Sequence, residues 1–140
     1  MIKNRNSYIP YKMRVKKVTG LSPMVKSLLL EFTNPAEIRK FTFEPGQFIM
    51  VSVFGFGESV LTVTSAKHDL PEIEIAVRSV GNNTRALHRL KADDIVWVSN
   101  ASGNFFNLPK MAGKEVLIIA GGIGLAPLRS LIRTIEKDPQ

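Results

Sequence analysis

Cysteine is absent from this 140-residue sequence, and so is any long apolar run. Without cysteine the chain carries no disulfide, no cysteine-ligated iron–sulfur cluster and no cysteine nucleophile. No apolar stretch approaches the roughly 18 residues that a membrane-spanning helix needs. The first seven residues are polar and basic, and no apolar signal core follows them. These absences predict a cytoplasmic protein without a membrane span.

The signatures of several enzyme classes are also missing. The sequence has no G-x-S-x-G nucleophile turn and no Gly-Lys-Ser/Thr phosphate loop. Its only two histidines, His68 and His88, lie twenty residues apart and have no carboxylate spacing that is typical of a metal site. We therefore predict no metal, and a surface or capping role for His88.

The charge balance is positive, at +7. Such a balance suits anionic partners such as dinucleotides, acidic proteins or nucleic acid, and does not choose among them. The basic residues between Lys12 and Lys17 are compatible with nucleic-acid binding. However, the aromatic residues are not interleaved with them as stacking platforms require. A solvated strand face explains these residues better, and we expect no nucleic-acid partner.

Most of the chain consists of short β-branched and aromatic segments separated by turns. The alternation is strictest in Glu72–Arg78, where large apolar residues occupy every second position. Several strands at such spacing predict an antiparallel sandwich or barrel, with a boundary near residues 111–114. The predicted strands are residues 8–19, 24–32, 47–53, 59–65, 72–78 and 93–99.

A different pattern begins after that boundary. Residues 116–120 form an apolar run that predicts a buried parallel strand. Gly121, Gly122 and Gly124 follow, and the periodicity of residues 125–135 predicts a helix. Strand, glycine turn and helix together open a nucleotide-binding α/β unit, because the glycines let a backbone approach a diphosphate at the helix start.

Only one strand and one helix of such a unit are present. The helical pattern places five apolar side chains on one face: Leu125, Leu128, Leu131, Ile132 and Ile135. Arg129, Arg133 and Lys137 are expected to lie away from that face. Strand and helix alone cannot bury both apolar surfaces. We expect this tail to pack on the β part, to pair with a second copy of the chain, or to be poorly ordered.

A second glycine turn lies in the sequence VRSVGNNT, residues 77–84. A strand end is followed there by Gly81 and by a short helix through Leu90 that Asn83 or Thr84 can cap. A phosphate fits this helix start, and Arg78 can add a charge-assisted bond. Taken alone, the segment is also explained as an ordinary capped turn.

Five motifs in a fixed order resemble the ferredoxin–NADP reductase superfamily. Within it, the chain looks most like flavin reductase subunits that serve iron–sulfur enzymes: the gamma subunits of sulfhydrogenases, the corresponding subunits of anaerobic sulfite reductases and the electron-transfer subunits of dihydroorotate dehydrogenases. The motifs are P-G-Q-F at 45–48, a strand containing Thr62, V-R-x-x-G-x-x-T at 77–84, a loop with Gly103, and G-G-x-G-x-A-P-L at 121–128.

This resemblance implies a fold and a function. Residues 1–7 would be a flexible start, and residues 8–112 a six-stranded antiparallel Greek-key barrel that binds FAD. Residues 113–140 would be the first β-α unit of a Rossmann-like NAD(P)H domain that is cut short. Electrons would pass from NAD(P)H to the flavin and then to an iron–sulfur protein subunit. The alternative is a non-catalytic barrel module that only binds FAD or docks on a partner.

The resemblance also implies site residues. Thr62 would be the catalytic residue, because its hydroxyl can bond flavin N5, and Leu61 would pack on the flavin ring. Ser59 and Val60 stand where many members carry an arginine. The residues implied for FAD are Ser59, Val60, Leu61, Thr62, Val77, Arg78, Gly81, Asn83 and Thr84, and those implied for NAD(P)H are Gly121, Gly122 and Gly124.

Overall fold

Six strands and four helices make up the fold in a computed structural model that describes residues 9–137. The predicted flexible start, residues 1–7, lies outside the described residues. The strands are Tyr11–Ser22 (β1), Val25–Phe32 (β2), Phe48–Val53 (β3), Gly57–Thr62 (β4), Glu72–Arg78 (β5) and Ile95–Val98 (β6). The helices are Pro35–Ile38 (α1), Asn82–Arg89 (α2), Leu108–Met111 (α3) and Leu125–Lys137 (α4), with 3₁₀ turns at Lys67–Asp69 and Gly122–Gly124.

The strands form one antiparallel sheet in the order β4-β3-β6-β1-β2-β5. Its two edge strands approach each other at a single bridge between Val63 and Ile75, beside which the Thr64 N–H donates to the Glu74 carbonyl oxygen at 2.8 Å. We call residues 63–64 and 74–75 the seam. The predicted six-stranded antiparallel barrel architecture is confirmed, although no continuous ladder closes it.

Every second residue of the long strands enters the core, as the period of two requires. Tyr11 packs edge-on against Phe32 and Phe41, with ring centroids 5.5 and 5.3 Å away. Its hydroxyl donates to Asn100 Oδ1 at 2.8 Å, so the first strand is tied to the loop after the last one. Completely buried core residues include Tyr11, Met13, Val15, Leu28, Leu30, Ile49, Val51, Ile73, Ile75, Val77, Leu87, Val96 and Val98.

The P-G-Q-F motif and the Gly103 loop form one structural joint. The Gln47 side-chain amide donates to the Gly103 carbonyl at 3.1 Å. Gly103 has a φ of +89°, and a β-carbon there would lie 2.6 Å from Cε1 of Phe48. A residue other than glycine would therefore meet both an unfavourable backbone conformation and a ring. The motif fixes the start of β3 against the loop after β6.

The predicted strand at residues 116–120 is not formed. The segment has no regular secondary structure and pairs with no strand among residues 9–137. Leu117 and Ile119 are 84% and 82% exposed. A parallel strand exists only as part of a ladder with covered faces, and neither the ladder nor the cover is present in the described residues. The apolar pattern indicated a propensity to form a strand, but no neighbouring strand is present for it to pair with in the described residues.

Helix α4 forms as predicted, and it packs on the barrel. The prediction that Arg129 and Arg133 lie away from the packed face is wrong. Arg133 donates to both oxygens of Asp69 at 2.6 and 2.9 Å, and Arg129 pairs with Glu74. Both arginines therefore bring their charges to carboxylates of the barrel. Leu131 is buried between them along the helix.

We predict that Gly103→Ala lowers the free energy of unfolding by about 2–4 kcal/mol, since it adds overpacking against Phe48 to backbone strain. Gly55→Ala is the matched control, because Gly55 has a similar φ of +83° with nothing near its β-carbon position. Gly55→Ala should lower the free energy of unfolding only by the backbone strain, about 1–2 kcal/mol. Urea denaturation measures both values, and equal losses would contradict the contact with Phe48.

Candidate functional site

Helix α2 begins at a turn that leaves backbone amides free. Gly81 is the N-cap residue in an extended conformation. The Thr84 hydroxyl oxygen accepts from the amides of Val80 and Gly81, at 3.0 and 2.7 Å. The amides of Asn82, Asn83 and Thr84 come next, and none has an acceptor among the described residues. The turn is therefore held by the Thr84 side chain and presents three donors at a positive helix end.

The Asn83 side chain fastens this turn to the β3–β4 hairpin. Its amide nitrogen donates to the Val51 carbonyl at 2.9 Å and to the Ser59 hydroxyl oxygen at 3.0 Å. Its amide oxygen accepts from the Val53 N–H at 3.3 Å. Asn83 is only 5% exposed, and its side-chain amide bonds to other residues of the protein. Only its backbone N–H remains for a phosphate.

Strand β4 divides the residues predicted for the flavin between two faces. Ser59 bonds Asn83, and Leu61 packs against the hydrophobic core, so neither side chain is presented outward. Val60 is 57% exposed. Thr62 is half-buried and pairs with Phe48 at the end of the strand. The predicted contact of Leu61 with a flavin ring would require its side chain to leave the core.

Two residues at the end of β5, Val77 and Arg78, were predicted to bind FAD, and only Arg78 has an accessible side chain. Val77 is completely buried, and its carbonyl oxygen bonds His88 Nε2 at 2.7 Å. This bond gives His88 a role in holding α2 against β5. Arg78 is exposed and has no ion-pair partner among residues 9–137. It is therefore a free cation next to the start of α2.

A cavity of about 620 Å³ lies between the outer surface of strands β2 and β5 and the glycine turn before α4. Its volume falls in the range of about 300–1,000 Å³ that is typical of small-molecule sites. Continuing the antiparallel register past the seam places Thr62 opposite Ala76, which lines the cavity. The polar and backbone groups around it come from Ser27, Thr64, Glu74, Arg78, Gly122 and Arg129.

The cavity thus adjoins the second glycine turn and the strand end that precedes the first one. Arg78 leads into the first turn, and Gly122, with a φ of +54°, belongs to the second. Gly121 and Gly124 lie outside the lining and close the 3₁₀ turn through a Gly124 N–H bond to the Gly121 carbonyl of 3.0 Å. Because Arg129 pairs with Glu74, Arg78 leaves the cavity wall with a net positive charge.

Two other features were sought among residues 9–137, a cluster of metal-ligating side chains and a membrane-spanning helix. No three histidine, cysteine, aspartate or glutamate side chains come close enough to hold a metal ion. No described helix is both long and apolar enough to cross a membrane.

Comparison with known proteins shows which proteins this chain resembles in sequence. The chain is 37% identical over 131 residues to sulfhydrogenase 1 subunit gamma of Pyrococcus furiosus, covering 94% of this chain and 45% of that protein. It is 31% identical over 129 residues to a probable dihydroorotate dehydrogenase B (NAD(+)) electron transfer subunit of Methanocaldococcus jannaschii, covering 92% and 44%. No family model matches the sequence.

The fold agrees with these relatives. The cytochrome P450 reductase GcoB of Amycolatopsis superposes with a TM-score of 0.77 at 25% identity, covering 93% of this chain and 40% of that one. The chain thus has the fold of the ferredoxin–NADP reductase superfamily. Phthalate dioxygenase reductase, at a TM-score of 0.72 and 18% identity over 92% of this chain and 40% of its own, shares the fold of this superfamily. The chain spans less than half the length of the curated relatives that it matches.

Sequence reasoning missed two features of this chain. One is the use of the Asn83 side chain as a clamp, which leaves no mark in the sequence because an asparagine at a helix start is also an ordinary cap. The other is the pair of arginines that reach the barrel. Their spacing of four residues, at Arg129 and Arg133, was the available signal, because it places both on one helical face.

We predict that Asn83→Ala lowers the free energy of unfolding by about 2–4 kcal/mol, because it leaves buried groups of Val51 and Val53 without their partner. Asn82→Ala is the matched control. Asn82 is exposed and has no side-chain bond among the described residues, so its change should stay within about 0.5 kcal/mol. Urea denaturation of both variants decides, and a loss below about 1 kcal/mol in Asn83→Ala would contradict the clamp.

Proposed function

We propose that this chain is the FAD-binding barrel of an electron-transfer oxidoreductase component. It would pass electrons between NAD(P)H and an iron–sulfur protein subunit through FAD. The observation that carries the proposal is its likeness to a sulfhydrogenase gamma subunit and to an electron transfer subunit, over more than nine tenths of its own length. A cytoplasmic location stays a prediction of the sequence.

The diphosphate of FAD has a place at the start of α2. The amides of residues 82–84 are free donors at a positive helix end, and Arg78 supplies an unpaired cation. This arrangement compensates for the absence of an arginine at Ser59 and Val60. The hydroxyl of Ser59 supports the site indirectly, since it accepts the bond from Asn83 that keeps α2 in place.

The flavin ring has a place beside Thr62. Thr62 is the third residue after Ser59, and a strand rises about 3.3 Å per residue, so the strand spans about 10 Å between the ring end and the diphosphate end of the site. Past the seam, β4 and β5 are not paired with each other, and their free edges and the adjoining cavity can accept a flat ring. Leu61 and Val77 would support this surface from the core side.

The chemistry divides between cofactor and protein. FAD, when bound, accepts a hydride and passes electrons on one at a time. The Thr62 hydroxyl would orient the ring by donating a hydrogen bond at its N5 position. Arg78 would neutralise phosphate charge. The mainly apolar wall of the cavity, with residues such as Leu21 and Ala76, would exclude water from the ring.

The nucleotide part of the proposal rests on the second turn. Gly122 lines the cavity, so an NAD(P)H molecule that approaches the ring would meet this backbone. Gly121 and Gly124 would shape the turn. We propose residues 8–112 as the flavin domain and residues 113–140 as the beginning of the nucleotide domain.

The alternative function is a module that binds FAD or docks on a partner without turnover. The exposure of Leu117 and Ile119, at 84% and 82%, favours it, because exposed apolar residues of this size mark interaction surfaces. Homo-oligomer formation through this tail is one form that docking would take. Absence of NAD(P)H-dependent dye reduction by the FAD-loaded protein would select the alternative.

We expect added FAD to lose fluorescence on mixing with the protein and to gain a structured visible spectrum. Thr62→Val should weaken FAD binding about five- to tenfold, the effect of one lost hydrogen bond, and shift the visible bands. Thr19→Val, on the exposed surface of β1, is the matched control and should change neither. Absence of quenching at high micromolar protein would refute flavin binding. An unchanged affinity in Thr62→Val would refute the role of Thr62 alone.

A further inference from the structure

Arg129 bridges the two sides of the barrel seam. Its Nη1 donates to the backbone carbonyl of Thr64 at 3.1 Å, on the β4 side. The same guanidinium pairs with the carboxylate of Glu74, on the β5 side. The seam itself has one bridge and few ladder bonds. A side chain from α4 therefore joins the two edges at the point where the sheet does not close.

Other hydrogen bonds also hold Glu74 in position for this contact. Its second carboxylate oxygen accepts from the Ser27 hydroxyl, so strand β2 also holds it. Its backbone N–H donates to the Ser65 hydroxyl oxygen at 3.0 Å. The Glu74 side chain is only 22% exposed, and a carboxylate in that position is stabilised by a cation. Arg129 is the cation that the structure supplies.

The rest of α4 is anchored separately. Arg133 makes its two bonds to Asp69, in the 3₁₀ turn that connects β4 to β5. Ser130 and Leu131 are buried against the barrel. The helix would therefore remain docked without Arg129. What Arg129 adds is a fixed connection between the helix start, the seam and the cavity, since Arg129, Thr64, Glu74 and Gly122 all line that cavity.

We propose that Arg129 is a positioning residue for the flavin site, acting through Glu74 and Thr64. It holds the chain just after β4, two residues beyond Thr62, against β5, and it holds the Gly122 turn over the cavity. This inference rests on the proposed function. It assigns Arg129 no contact with the cofactor, and it predicts that the geometry of the ring end depends on an ion pair.

The experiment compares Arg129→Gln, Glu74→Gln and the double variant with Arg39→Gln. Arg39→Gln is the charge-matched control, because Arg39 is exposed and has no side-chain bond among residues 9–137. Two properties are measured: hydrogen exchange of the amides in residues 62–64 and 122–126 of the ligand-free protein, and FAD affinity with the visible spectrum of the bound flavin. Arg129→Lys tests for rescue, since lysine keeps the charge but loses the planar fork.

We expect faster exchange in both segments for Arg129→Gln and Glu74→Gln, and no change for Arg39→Gln. FAD affinity should fall roughly three- to tenfold in each single variant, the range for a partly exposed charge-assisted bond, and no further in the double variant. The flavin bands should shift in the same variants. Arg129→Lys should lie between the wild type and Arg129→Gln.

The outcomes separate the two proposals. Unchanged exchange in Arg129→Gln overturns the positioning role whether or not flavin binds. Normal FAD binding by the wild type, with affinity and spectrum unchanged in Arg129→Gln, overturns the positioning role and leaves the proposed function standing. Absence of FAD binding by the wild type overturns the proposed function and, with it, the link from Arg129 to flavin.

Discussion

The buried side chain of Asn83 is the connection on which the candidate site depends. A buried amide must satisfy its donors and acceptor within the protein, and Asn83 does so on the hairpin of β3 and β4. Because the hairpin carries Thr62 and the helix carries the amides of residues 82–84, this one residue sets the spacing between these two parts of the candidate site. In the proposed function, the flavin ring would lie at the first part and the diphosphate of FAD at the second.

The barrel seam explains how a second element joins the site. The edges of the sheet meet at one bridge, between Val63 and Ile75, and no ladder between β4 and β5 continues from it. An open sheet edge usually needs protection. Helix α4 supplies it through Arg129, which bonds the Thr64 carbonyl on one edge and Glu74 on the other. In our proposal, fold stability and site formation depend on this same ion pair.

Local patterns in the sequence predicted the elements better than their contacts. Glu72–Arg78 was predicted with its observed bounds, since strict alternation reflects one buried and one outer face. The strand at 116–120 failed because a parallel strand needs neighbours that periodicity cannot supply. The prediction placed Arg129 and Arg133 on the wrong side of the helix. A charged residue in a helix usually faces water unless a carboxylate lies within reach on the packed side. Only the fold could show that Asn83 reaches across 32 residues to Val51.

The most direct test of this account is the response of backbone amides to FAD in a ¹H–¹⁵N nuclear magnetic resonance titration. The account predicts the largest chemical-shift changes at the amides of residues 82–84, accompanied by changes near Thr62 and Gly122. Spectra in which the amides of residues 82–84 stay unchanged while FAD binds would contradict it, because the diphosphate would then lie elsewhere.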